Sequence, residues 1–248
     1  MDLLDAGLLL AAGLAAGTIN AVAGGGSLIT FPALIAIGMP PIQANVTNSV
    51  SVCPGYLAAV AGSKDDLPPY SRLLPLIPTA ALGAAAGGLL LLNTSEDAFK
   101  VVIPILVLGA TAVLAFQDRL RRLVGHPAEL SPRRRTLTLQ GMVAVGSVYG
   151  GYFGAALGVM LVAGLALVLD ESLARVSALK NVISAVVGLT TIAIFSAFGP
   201  VDWAAVAIVA PATLVGGYFG ARLARQLPPA VLKGVIVAFG TTIGVLLI

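Results

Sequence analysis

The sequence predicts an all-α, polytopic membrane protein, and its composition and its patterning both support that class. Of its 248 residues 58% are hydrophobic and only 10% are charged, and the mean hydropathy is +1.01. These values leave too few polar side chains to cover a water-soluble globule, so lipid must surround much of the chain. Long apolar runs separated by short polar or Pro/Gly stretches recur from end to end, which is typical of spanning helices and unlike the alternation of a barrel.

The ends, the cysteine content and the charge narrow the class further. The first apolar segment follows the acidic Asp2 and Asp5 and has no basic region before it, so we expect a helix of the mature protein and not a signal peptide. A single cysteine, Cys53, makes an intrachain disulfide impossible. The net charge of +3 is concentrated in one loop beside apolar segments, where it sets orientation, and we therefore expect no nucleic-acid partner.

An internal duplication organises the chain. Adding 133 to a residue number matches glycines, an asparagine, a proline and a lysine without a gap. The pairs include Gly25 and Gly158, Asn48 and Asn181, Pro78 and Pro211, and Lys100 and Lys233. We therefore predict a first transmembrane repeat at 1–117, a basic cytoplasmic linker at 118–136 and a second transmembrane repeat at 137–248.

Each repeat divides into five apolar segments, of which the second is short. The predicted segments are 3–22, 26–38, 44–62, 72–92 and 98–117 in the first repeat, and 137–157, 159–169, 173–197, 203–223 and 230–248 in the second. A straight span needs about 20 residues. The sequence thus predicts about eight full transmembrane helices, with 26–38 and 159–169 as half-helices or re-entrant segments broken at glycine.

Basic residues predict the orientation. Six arginines between Arg119 and Arg135 place the linker in the cytoplasm by the positive-inside rule. Five passes in each repeat also bring Lys64, Arg72, Arg175 and the Arg222/Arg225 pair inside, whereas four passes leave that last pair outside. The charges favour five passes, so the repeats are inverted copies related by an axis in the membrane plane, with both termini external.

The stretch after Asn20 carries the first candidate site. Gly24 to Gly26 allow a sharp turn, Ser27 can cap the next helix, and the N–H groups of a half-helix attract an anion. The next helix opens with further hydrogen-bond donors that can converge on the same ligand. The candidate residues of this repeat are Gly25, Gly26, Ser27, Asn45, Thr47 and Asn48.

In the second repeat we expect Tyr152, Gly154 and Gly158 to occupy the break. The equivalent helix supplies the candidate residues Ser177, Lys180 and Asn181. Amides at Asn48 and Asn181 are costly inside apolar segments unless a ligand or a helix partner satisfies them, so we expect both to contact one anion. Two interpretations of Lys180 stay open: a buried cation that selects anions, or a marker of the cytoplasmic boundary. The glycines also have an alternative role, because small residues let membrane helices pack closely.

The acidic residues and the absent motifs exclude other functions. All eleven carboxylates fall in loops or at segment ends, which leaves none in mid-membrane for a cation site. The sequence contains no P-loop, GxSxG elbow, HExxH motif or carboxylate pair, so it predicts neither an enzyme nor a metal or other cofactor. An anion carrier remains.

The residues also resemble a known family. The stretches "GGGSLITFPALIAIGMPPIQANVTNSV" and "GPVDWAAVAIVAPATLVGGYFGARLARQLPPAVLKGVIVAFGTTIGVLLI" are similar to the sulfite exporter TauE/SafE family, also described as 4-toluene sulfonate uptake permeases. The resemblance implies a prokaryotic plasma (inner) membrane carrier of sulfite, sulfoacetate or other organosulfonates. The second repeat departs from the glycine-rich pattern, because it reads "GGYFGAALGVML".

The leading hypothesis is secondary transport of a small sulfur-containing anion through a central site between the repeats. Two other classes stay open, a channel-like anion pore and a membrane binding or assembly subunit that transports nothing alone. The expected partners are the anionic substrate and the lipid bilayer, and a homodimer is left open.

Overall fold

The computed structural model describes residues 2–22, 24–123, 131–169 and 171–223, together with 238 and 241. These residues form α-helices and no strand, with one short 3₁₀ turn at Lys64–Asp66. The helices are α1 (Leu3–Val22), α2 (Ser27–Ala36), α3 (Pro41–Gly62), α4 (Tyr70–Leu73), α5 (Leu76–Leu92), α6 (Glu96–Leu123), α7 (Pro132–Tyr152), α8 (Leu157–Val168), α9 (Leu173–Phe198) and α10 (Trp203–Leu223). The all-α class is thereby confirmed for the described chain.

Within the described part of the chain, three stretches are long and apolar enough to cross a bilayer: Leu3–Asn20, Tyr70–Leu92 and Ala174–Phe198, with mean hydropathies of 1.5, 1.7 and 1.9. Less than half of each stretch is buried inside the bundle, at 39%, 39% and 44%. Large apolar side chains such as Leu82 and Leu90 face outward instead. An outer surface of this kind is stable against lipid and not against water.

Helix α3 lies at the centre of the bundle, where it packs against α2, α9 and α10. Its buried residues include a run of polar side chains, which makes this helix less hydrophobic than α2, α9 and α10. Helices α2 and α8 have 10 and 12 residues. At about 1.5 Å per residue they extend about 15 to 18 Å, roughly half of a bilayer's hydrocarbon core.

Several helix boundaries differ from the predicted ones by a few residues. Helix α3 begins at Pro41 and not at residue 44, because Pro40 and Pro41 set its first turn. The second helix break spans 153–156, inside the predicted stretch from Tyr152 to Gly158, and there Gly154 and Ala156 adopt positive φ angles of 74° and 56°. Helix α6 ends at Leu123 and helix α7 begins at Pro132, so both helices enter the range 118–136 that was predicted as linker. The last predicted segment, 230–248, lies outside the described helices.

Close helix pairs occur twice. Helix α1 packs along α10, and α5 packs along α7. In the first pair, a Cβ added at Gly17 would overlap the Thr213 backbone; in the second, one added at Gly87 would overlap the Val148 carbonyl. The absence of side chains at these glycines therefore permits backbone contact between helices. Adding 133 to the residue numbers of α1 and α5 gives ranges that overlap those of α7 and α10, so the two pairs correspond as a duplication requires. The repeat itself and the count of eight full helices stay predictions.

Candidate functional site

The first helix break crosses the end of the second one, where Gly158 lies in the first turn of α8, inside the bundle. Gly24 has a φ of 83°, and a Cβ built on it would lie 2.5 Å from the Gly158 Cα. A Cβ built on Gly158 would in turn lie 2.6 Å from the Gly24 Cα and 3.1 Å from the Lys180 Cδ. No side chain fits between these backbones. The crossing brings the break of one predicted repeat against the first turn of α8 from the other.

The glycine turn is held by Asn20, at the end of α1. The Gly26 N–H donates to the Asn20 Oδ1 over 2.8 Å, while the Asn20 Nδ2 is buried without a partner among the described residues. Gly25 is buried in the turn, and its carbonyl accepts from the Leu28 N–H. The predicted cap was wrong: Gly26 occupies the N-cap position, and Ser27 is the first residue of α2 with no capping hydrogen bond.

Lys180 is the only charged side chain among the described residues that is fully buried in the bundle, at 1% exposure. Helix α9 begins at Leu173 after a Ser172 cap, so Lys180 lies two turns into the helix. Its Nζ donates to the Asn20 carbonyl over 3.4 Å, and no described carboxylate pairs with it. The buried alternative for Lys180 is therefore the one the structure shows. An ammonium has three donors, and this contact uses one of them.

The polar residues of α3 take different partners. Asn45 donates from Nδ2 to the Tyr152 carbonyl over 2.8 Å, which joins α3 to the end of α7. The Thr47 hydroxyl accepts from the Asp202 N–H over 3.0 Å, before α10. The Thr30 hydroxyl donates to the Asn48 Oδ1, which joins α3 to α2. Asn45 and Thr47 thus hold helix ends, whereas Asn48 contacts the half-helix that follows the glycine turn.

Asn181 does not lie near Asn48. Its Nδ2 donates to the Ala59 carbonyl over 3.4 Å and to the Ser63 Oγ over 3.2 Å. Ala59 lies eleven residues beyond Asn48 on α3, or about 16 Å along the helix axis. One small anion cannot contact both amides, so the expectation of a shared ligand was wrong. Ser177 is half-buried one turn before Lys180 and does not line the cavity at the crossing.

A small cavity adjoins the crossing, with a volume of about 20 Å³. Ser27 and Asn48 line it from the first half of the chain, and Gly154 and Thr191 line it from the second. This volume is room for about one water molecule. Phe153 closes one side and packs edge-on against Phe31, with ring centroids 5.3 Å apart. In this conformation the cavity therefore has no room for a ligand larger than water.

Sequence reasoning missed Asn20 and Thr30. Both are buried polar residues, at 1% and 0% exposure, and both contact predicted site residues. Asn20 precedes the three glycines, and its distance of four residues from Gly24 is the signal that could have identified it. Thr30 had no such signal, because a hydroxyl in a membrane helix commonly bonds to its own backbone.

Comparison with known proteins decides the family. A family model described as sulfite exporter TauE/SafE matches residues 9–247, nearly the whole chain. The chain belongs to the TauE/SafE family. It is a membrane protein of a transporter family, and neither the family description nor its relatives' names indicate an enzyme.

Three relatives of this TauE/SafE chain illustrate its place in the family. It is 30% identical to the probable membrane transporter protein YfcA of Escherichia coli strain K12, over 89% of this chain and 80% of the relative. It is 25% identical to the probable membrane transporter protein ORF9 of a Sinorhizobium species, over 97% of this chain and 91% of the relative. It is 26% identical to a probable membrane transporter protein of Haemophilus influenzae, over 93% of this chain and 89% of the relative. No solved structure matches the chain.

Proposed function

We propose that this protein is a secondary carrier that moves a small sulfur-containing anion, sulfite or an organosulfonate, across the plasma membrane of a prokaryote. The family description supplies the sulfur chemistry. The observation that carries the proposal is the buried Lys180, whose ammonium lies at the crossing of the two helix breaks without a carboxylate partner among the described residues. A buried cation in this position attracts an anion and repels other cations.

The surroundings of Lys180 favour an oxyanion in particular. Asn20 contacts Lys180 through its carbonyl, and its unpartnered Nδ2 offers two more donors within the same residue. The first turn of α2 adds the positive end of a half-helix. Sulfite and sulfonates present three oxygens that accept such hydrogen bonds. The other predicted residues have smaller parts here: Gly25 and Gly26 shape the turn, and Ser27 and Asn48 line the adjoining cavity.

The closed cavity favours a carrier over an open pore. A volume of about 20 Å³ does not admit a four-atom anion in this conformation. Helix movement must therefore accompany each transfer, as in carriers in which one half of the bundle rocks against the other. The break residues are suited to that movement, because no side chain interlocks at the crossing of Gly24 and Gly158.

Flux measurements in proteoliposomes test the proposal. Purified protein should take up radiolabelled sulfite with saturation, and unlabelled sulfonates should compete while sodium and potassium salts of unrelated anions should not. Uptake that rises linearly with concentration indicates a pore instead. No uptake under any gradient indicates a binding or assembly subunit and refutes the carrier.

A further inference from the structure

A second cavity, distinct from the central one, has a volume of about 660 Å³. It lies between the turn that carries α4, the start of α7 and the start of α9. Its charged lining comprises Arg72, Arg135, Arg175 and Glu171, so it carries two net positive charges. Leucine and proline side chains form its apolar wall: Leu67, Pro68, Pro69, Pro75, Leu76, Leu139, Leu169 and Leu179. Ser71, Thr136 and Gln140 complete the lining. An apolar wall with a few convergent charges is the usual composition of a small-molecule site.

The Glu171 carboxylate forms ion pairs with two of the three arginines that line the cavity. The Glu171 Oε1 accepts from the Arg72 Nη1 over 2.8 Å, and its Oε2 accepts from the Arg175 Nη1 over 3.0 Å. The hydrogen bond from Arg175, followed by the one from Arg72, holds the pKa of the Glu171 carboxyl below its usual value. The carboxyl is therefore ionised at neutral pH. The pair of arginines is therefore arranged for an anion with two or more oxygens.

The remaining lining is fixed by hydrogen bonds between helices. The Arg135 Nε donates to the Val168 carbonyl at the end of α8 over 2.9 Å. The Gln140 Nε2 donates to the Pro75 carbonyl over 3.0 Å, and its Oε1 accepts from the Thr79 hydroxyl over 2.6 Å. Arg135 thus stays at the cavity because a backbone carbonyl holds it there. A preorganised cation loses less conformational entropy when it binds a ligand.

The cavity also lies close to the central site along α9. Leu179 forms part of its wall, and the next residue is Lys180. The two residues are only about 1.5 Å apart along the axis of α9, so the wall of the cavity reaches the depth of the buried ammonium's own residue. An anion held among the arginines is positioned to move inward when the helices separate.

We propose that this cavity is a second anion-binding site, an access vestibule in which Arg72, Arg135 and Arg175 hold the head of an organic oxyanion while the leucines and prolines contact its apolar part. Glu171 occupies the Arg72/Arg175 pair when the vestibule is empty and competes with the ligand. The inference rests on the proposed anion transport, because it takes the ligand to be a transported organosulfonate.

Equilibrium binding separates this site from the central one. The Lys180→Gln protein, in phosphatidylcholine nanodiscs, is titrated with benzenesulfonate and with methanesulfonate by calorimetry. Benzenesulfonate should still bind, about tenfold more tightly than methanesulfonate. In that background Arg135→Gln should weaken binding about tenfold, whereas Arg134→Gln, which removes the same charge from an exposed neighbour outside the vestibule, should change it less than twofold.

Glu171→Gln is made in the otherwise unchanged protein, so this test does not depend on the Lys180 variant. Its expected effect on benzenesulfonate affinity is opposite to that of Arg135→Gln. Loss of the competing carboxylate should raise benzenesulfonate affinity about threefold to tenfold, while a bridge that is only structural should leave affinity equal or lower. In flux assays Arg135→Gln should raise KM for the sulfonate without changing the maximal rate. If transport is absent but benzenesulfonate binding depends on Arg135, only the proposed function fails.

Two results overturn the vestibule. One is equal benzenesulfonate affinity in the Arg135→Gln and Arg134→Gln proteins. The other is loss of benzenesulfonate binding to the unsubstituted vestibule when phosphatidylglycerol is added to the nanodiscs, because the cavity is then filled by an anionic lipid head group.

Discussion

The crossing of Gly24 and Gly158 gives a stability prediction whose size follows from the structure. Gly24→Ala places a Cβ 2.5 Å from the Gly158 Cα, well inside van der Waals contact, and puts an alanine at a φ of 83°. The left-handed backbone costs about 1 to 2 kcal/mol for a residue with a Cβ. Overpacking against a backbone adds about 1 to 3 kcal/mol. We expect Gly24→Ala to lose about 2 to 5 kcal/mol of unfolding free energy.

Two other alanine substitutions complete the test. Gly158→Ala meets the Gly24 Cα at 2.6 Å but has no positive φ, so it should lose only the packing part, about 1 to 3 kcal/mol. Gly109→Ala in α6 meets nothing within 4 Å and should gain about 0.5 to 1 kcal/mol, as helical glycines do. Denaturant unfolding in detergent, followed by circular dichroism, measures all three. Equal stability of the Gly24→Ala and Gly109→Ala proteins would refute the crossing.

Three further predictions concern single side chains. Lys180→Gln removes a charge-assisted hydrogen bond to the anion, worth about 1.5 to 3 kcal/mol, so the sulfite affinity measured by calorimetry should fall about ten- to a hundredfold. Lys100 is exposed, and Lys100→Gln should leave the sulfite affinity unchanged. Asn48→Asp should weaken sulfite binding more than Asn181→Asp, because only Asn48 lines the central cavity; equal effects would contradict that placement. The pKa of Glu171 is depressed on folding, so its stabilising contribution is full above the ordinary value of 4.5 and is lost as the pH falls through the lower folded value. The difference in Tm between the parent protein and Glu171→Gln should accordingly disappear in acid; a difference that persists at low pH means that Glu171 acts through packing.

Long apolar segments are predictable because length and hydrophobicity alone define them. The predicted segment 3–22 coincides with α1 at Leu3–Val22. The first break is also predictable, since three consecutive glycines interrupt an apolar run and permit a sharp turn. The second break lies within its predicted stretch, but its end was not predicted, because Ala156, an ordinary residue in sequence terms, adopts the left-handed backbone that ends the turn. Tertiary contacts impose that conformation, and no local pattern indicates it.

The candidate site shows the same division between local and tertiary information. The burial of Lys180 depends on which helix covers α9, and one sequence does not decide it. Asn48 and Asn181 match under the repeat offset, and that match predicts that they lie close together. Under the predicted inverted repeat, an axis in the membrane plane sends equivalent residues to opposite depths, so only positions next to the axis are expected to meet. Gly24 contacts Gly158, which is one position away from its own predicted equivalent, Leu157, whereas Asn48 and Asn181 do not meet.

Counterflow of radiolabelled sulfite in proteoliposomes tests the central claim most directly, because it requires a single anion site that alternates between the two sides. Vesicles loaded with unlabelled sulfite should accumulate external label transiently above equilibrium when they carry the parent protein or Lys100→Gln. Vesicles carrying Lys180→Gln should show little or no overshoot at the same protein density. An overshoot of equal size with Lys180→Gln, or none with the parent protein, would contradict anion transport through the buried ammonium at the crossing of the helix breaks.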